Sequence, residues 1–97
     1  MIEAGLLNID EKPVLGVKVN LSDSPPLIII IADKGFVMCG FLNVDAAEKL
    51  GVAAAVVRGV ETFDDVLQAE IRAVTSSARA KGVEPGMKAQ DALKLLH

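Results

Sequence analysis

The sequence predicts an α+β fold. It reads as a largely antiparallel sheet of about five strands, a meander first and one later strand, with helices packed on one face. Three observations carry this. The first forty-odd residues hold short apolar runs separated by turn residues, the pattern of consecutive strands. Beyond Leu42 the apolar period changes from two to three and four, the pattern of helices. Between the helical stretches one further apolar run, Val52 to Val57, is short and bounded by glycines at 51 and 59 and reads as the later strand, a helix being the alternative its alanines leave open.

Ile2 to Ile9 is the first strand, weakened by Gly5, and Asp10 to Pro13 turn the chain. In the second strand Leu15, Val17, Val19 and Leu21 alternate with Gly16, Lys18 and Asn20, which places the former on a buried face. Ser22 to Pro26 is a loop, because Pro25 and Pro26 cannot donate to a ladder. Leu27 to Ala32 is β-branched and apolar at successive positions, so it reads as a central strand covered on both faces. Asp33, Lys34 and Gly35 form a three-residue hairpin loop, with Gly35 supplying a positive φ, and Phe36 to Cys39 return as the partner strand.

Asn43 or Asp45 caps a short helix, Asp45 and Glu48 having capping-box spacing, and Gly51 ends it. After the strand Val52–Val57 and a turn over Arg58 to Glu61, Thr62 caps the next helix with Asp65 three residues on. Glu70 to Lys81 reads as the longest helix, with Ile71, Val74, Thr75 and Ala78 on one stripe and Gly82 as its stop. Pro85 and Gly86 turn the chain into a last helix, Lys88 to Leu96, with Ala89, Ala92, Leu93 and Leu96 along one side.

Composition narrows the function. At 97 residues the chain is expected to form one compact domain over residues 1–97. It is 52% hydrophobic but only 3% aromatic, with mean hydropathy +0.44. A small domain cannot bury all of that, so a homo-oligomer is expected, through the sheet or the C-terminal helices where Leu95 faces away from Leu93 and Leu96. Net charge of −3 and the lack of any basic run argue against a nucleic-acid partner. One cysteine permits no internal disulfide, and a cytoplasmic location is expected. No run reaches the roughly 20 apolar residues of a membrane span, and the first dozen residues lack signal-peptide character.

The chemistry-bearing residues are few. Cys39 precedes a glycine and a helix start, where a thiolate is stabilised; it is the candidate catalytic residue, against the reading of a small buried apolar side chain. Arg58, Gly59 and Thr62 stand between a strand and a helix, where a guanidinium and backbone N–H groups can hold a small anionic ligand. The competing reading pairs Arg58 with Glu61, Asp64 or Asp65 on the surface. Adjacent Asp64 and Asp65 suit a helix's first turn rather than a metal, and one Cys with one His makes no metal set. His97, at the terminus, is not expected to serve Cys39 as a base. No cofactor is implied.

The stretch from Gly35 to Leu93 carries Met38-Cys39-Gly40, Arg58-Gly59-Val60, Asp64-Asp65-Val66-Leu67 and Gly82-Val83-x-x-Gly86-Met87. In combination these resemble the YunC-like family, small prokaryotic domains of unknown function. The resemblance implies a compact α+β domain and no particular activity. Two functions follow from the residues themselves: a non-catalytic module that self-associates or binds a ligand or protein, or a small enzyme or anion-recognising protein using Cys39 and Arg58.

Overall fold

A computed structural model describes residues 2–97. The strands are β1 (Ile2–Ile9), β2 (Lys12–Val19), β3 (Leu27–Ala32), β4 (Gly35–Met38), β5 (Ala54–Val56) and β6 (Ala73–Val74). The helices are α1 (Val44–Leu50), α2 (Phe63–Gln68), α3 (Ser76–Ala80) and α4 (Ala89–Leu96). The strands form one six-stranded sheet in sequence order. All neighbours pair antiparallel except β4 and β5, which run parallel and are joined through α1. The fold is α+β, as expected, with one more strand than the sequence suggested.

That extra strand comes from the stretch read as the longest helix. Ala73–Val74 pairs with β5, and Glu70 bridges to Lys88. Thr75, placed by periodicity on a helical stripe, is instead the N-cap of the short α3 and accepts from Ala78 N–H. Its buried hydroxyl also donates to Val52 O at 2.7 Å and accepts from Ala54 N–H at 3.1 Å. These bonds tie the chain to β5 and outweigh a local helical period that needed Thr75 in mid-helix. The other caps follow the sequence more closely. Asn43 caps α1, Gly51 ends it in the left-handed region, and Thr62 and Asp65 form a full capping box on α2.

Two corrections concern strand faces and the hairpin. In β2 the core side carries Val14 and Gly16, while Leu15 is exposed and Val17 and Val19 are half-buried on the other side. Alternation gave the period but not which face the helices cover. Gly16 stays on the core face because the Phe63 ring lies against it; a Cβ there would meet Phe63 Cε1 at 2.9 Å. At the β3–β4 hairpin Ala32 pairs with Gly35, so the loop is the two residues Asp33 and Lys34. Gly35 does not adopt a positive φ. It is required by close approach, since a Cβ would lie 2.5 Å from the Ala53 carbonyl oxygen.

The core lies between the sheet and helices α2 and α4. Ile28, Ile30 and Val37 face it from the sheet, and Val66, Ala92, Leu93 and Leu96 from the helices. Helix α1 is placed differently. It packs on β5, whose Ala54 and Val56 are buried outside the main core, as is Ala47 of α1. Register puts Ala54 and Val56 on the face opposite Ala55, so α1 covers the second face over β5. Over β1 to β4 that face has no helix.

Candidate functional site

Two features emerge from this arrangement: a cavity at one end of the sheet and the open face. The cavity follows from the topology. After β4 the chain leaves to α1 on one face; after β5 it leaves to α2 on the other. Neighbouring parallel strands whose connections part to opposite faces leave a crevice at their carboxyl ends. Here that crevice has a volume of about 410 Å³. Cys39, Gly40 and Phe41 line it from the end of β4, and Arg58 to Glu61 from the end of β5. Pro25 and Pro26, leading into antiparallel β3, close its third side.

Sequence reasoning named Cys39, Arg58, Gly59 and Thr62; the fold brings the first three to this cavity. Arg58 makes no ion pair within 4.0 Å among the described residues, neither with Glu61 nor with the aspartates of α2. Its side chain runs across Gly40, where a Cβ would stand 3.3 Å from Nη1. Gly59 has φ +71°, which turns the chain between Arg58 and Val60. Thr62 does not line the cavity. Its hydroxyl accepts from Asp65 N–H, and the Asp65 carboxylate accepts from the N–H groups of Glu61 and Thr62. The N–H groups of Glu61 and Thr62 are therefore taken by the Asp65 carboxylate and that of Asp65 by the Thr62 hydroxyl.

Cys39 is only 5% exposed. Its Sγ accepts from Ile28 N–H at 3.4 Å, and its own N–H donates to Ile28 O at 3.0 Å, extending the β3–β4 ladder by one residue. His97 lies at the far end of β4, 3.9 Å from Asp33, beside the hairpin where Lys34 N–H donates to Leu96 O. The thiol thus has no imidazole near it. No group of three or more His, Cys, Asp or Glu residues among those described is arranged to hold a metal. Pro25, Pro26, Phe41, Val60 and Glu61 were not named as site residues from the sequence. Three separate loops supply them, and no local spacing announces such a meeting.

The open face is built by pleat alternation. Register places Ile2, Ala4 and Leu6 of β1 beside Val19, Val17 and Leu15 of β2, then Ile29 and Ile31 of β3, then Phe36 of β4. Leu6 is 75% exposed and Ile2 68%. These strands place no charged side chain on this side. Glu3 and Lys18 point to the helix side, where they pair at 3.7 Å. An antiparallel sheet with one solvated face normally turns its polar residues outward; here the helix-free face is the apolar one. No helix of the chain is long and apolar enough to cross a membrane.

Comparison with known proteins agrees with this architecture. The chain is 30% identical to the uncharacterized protein YunC of Bacillus subtilis (strain 168) over 97 residues, 96% of this chain and 95% of that one. The crystal structure of the protein of unknown function TA1206 from Thermoplasma acidophilum superposes with a TM-score of 0.94 at 32% identity, covering 100% of this chain and 94% of the other. Residues 38–96, which include β5, β6, all four helices and most of the cavity wall, match the family described as Domain of unknown function (DUF1805), and the chain belongs to that family.

Proposed function

We propose that this protein is a non-catalytic, cytoplasmic module that self-associates through the open face of its sheet. The observation that supports this is the uncharged apolar surface over β1 to β4, without a helix to cover it. Four strands spaced by about 4.8 Å, each contributing about 20 Å of length, project to roughly 400 Å² per copy. Accessible area exceeds projected area, so two copies bury on the order of 1,000 Å², the lower range of a specific interface. A second copy suits this surface because an uncharged patch does not repel itself across a two-fold axis. Sedimentation equilibrium tests it: a mass near twice 10.2 kDa is expected, falling to the single-chain mass in Ile31→Lys. A wild-type mass that stays at 10.2 kDa at high concentration overturns the reading.

A second reading, a thiol-dependent enzyme, is favoured by Cys39 and Arg58 lining one cavity. It needs a reactive thiolate, whereas the thiol is buried and has no imidazole beside it. Alkylation of native Cys39 faster than a free thiol near neutral pH would restore it.

A further inference from the structure

The cavity at the carboxyl ends of β4 and β5 has a chemistry of its own, independent of self-association. Pro25, Pro26, Phe41 and Val60 give it apolar walls, and Phe41 is 51% exposed there although large and aromatic. Arg58 supplies a guanidinium with no carboxylate partner among the described residues. Of the nearby carboxylates, Asp65 is engaged by the backbone N–H groups of Glu61 and Thr62, and Glu61, which lines the cavity, makes no ion pair with Arg58 within 4.0 Å. The Arg58 side chain lies across Gly40 at the cavity edge, where a Cβ would stand 3.3 Å from Nη1, so a larger residue there would push the guanidinium aside. The site sits where the connections of two parallel strands part to opposite faces, the position at which open sheets offer loops to a ligand. Its volume of about 410 Å³ is within the range of small-molecule sites.

We infer that this cavity binds a small organic carboxylate with a compact apolar body, the carboxylate on Arg58 and the body against Pro25, Pro26, Phe41 and Val60. A planar guanidinium matches a carboxylate through two parallel N–H···O bonds. Glu61 lines the same cavity and disfavours ligands with a second negative charge. Cys39 contributes apolar wall rather than a nucleophile, its sulfur already accepting from Ile28 N–H.

The test is a titration of the isotope-labelled full chain followed by amide NMR, with 3-phenylpropionate as probe and 3-phenylpropan-1-ol as its uncharged counterpart. Saturable shifts are expected at Gly40, Phe41, Gly59 and Val60, with the alcohol binding about tenfold or more weakly. Arg58→Gln, an exposed substitution whose unchanged spectrum elsewhere would report an intact fold, is expected to erase the preference for the acid. Phe41→Ala is expected to weaken both probes alike. Acid and alcohol binding equally, an acid preference that survives Arg58→Gln, or no saturable shift at these amides up to the solubility limit each overturns the proposal. The readout is local to the cavity, so its failure and that of the sheet-face interface are distinguishable.

Discussion

At Gly35 the β4 backbone passes so close to Ala53 and Leu96 that a methyl group would overlap both. Gly35→Ala is therefore expected to cost about 1–3 kcal/mol, as overpacking does, while Gly5→Ala, with open space at its Cβ, is expected to be nearly neutral. Equal midpoints for the two variants in denaturant titrations would contradict this packing. Glu48 is a residue whose role lies outside its own helix. The sequence suggested a capping box with Asp45, but Glu48 Oε1 accepts from Ser76 N–H at 2.8 Å, joining α1 to the start of α3. That bond holds the Glu48 carboxyl below its ordinary value. A lowered native value means its contribution is complete above the usual Glu range and is lost as pH falls through the native value. Stability measured from pH 6 downward is expected to fall less steeply in Glu48→Gln than in the wild type, and identical slopes would remove Glu48 from the acid response. For Cys39, slow alkylation in the native state and fast alkylation in denaturant are expected from its burial.

At the scale of elements, β3 separates two environments residue by residue. Ile30 is fully buried under the helices, whereas Ile29 is half-buried and lies on the open face. Ile30→Ala is expected to cost about 2–5 kcal/mol at any protein concentration. If the open face is an interface, Ile29→Ala is expected to cost less in dilute solution and more as the concentration rises, because its loss would then be felt in the paired state. Chemical denaturation at two concentrations a hundredfold apart checks this. A concentration-independent cost at Ile29 would argue that nothing covers that face. The element least legible in sequence is the segment from Glu70 to Lys81. Its apolar spacing suits a helix, yet Ile71 N–H donates to Met87 O, Arg72 N–H to Val56 O and Thr75 N–H to Ala54 O. Backbone donors satisfied by distant carbonyls override a local period that predicts bonds four residues back.

For the whole molecule, the sheet is asymmetric in an uncommon sense. One face is filled by α2 and α4, the other is covered only over β5 by α1. If the open face is an interface, unfolding couples to dissociation and apparent stability rises with concentration. The denaturation midpoint is expected to rise over that hundredfold range for the wild type and to stay fixed for Ile31→Lys, which sets a charge on the contact. A midpoint that does not move in either protein would leave the sheet a surface of the monomer.

The sequence by itself determined the order of elements up to α2, the turn at Asp10 and Glu11, the Thr62–Asp65 cap and the buried stripe of α4. Each is a local matter, fixed by periodicity, capping chemistry or turn residues within a few positions. It also carried the apolar excess on which the proposed self-association rests, and it named Cys39, Arg58 and Gly59, although as neighbours of separate strands. Tertiary structure decided the rest. Which face of β2 is the core depends on where Phe63 lands, forty-seven residues from Gly16 in the chain, and period alone is blind to that choice. The parallel pairing of β4 with β5, and the departure of α1 and α2 to opposite faces, brings Cys39, Arg58 and Pro25 around one cavity. A crevice of this kind exists only once non-local strands have paired, because its walls are loops that share no sequence window.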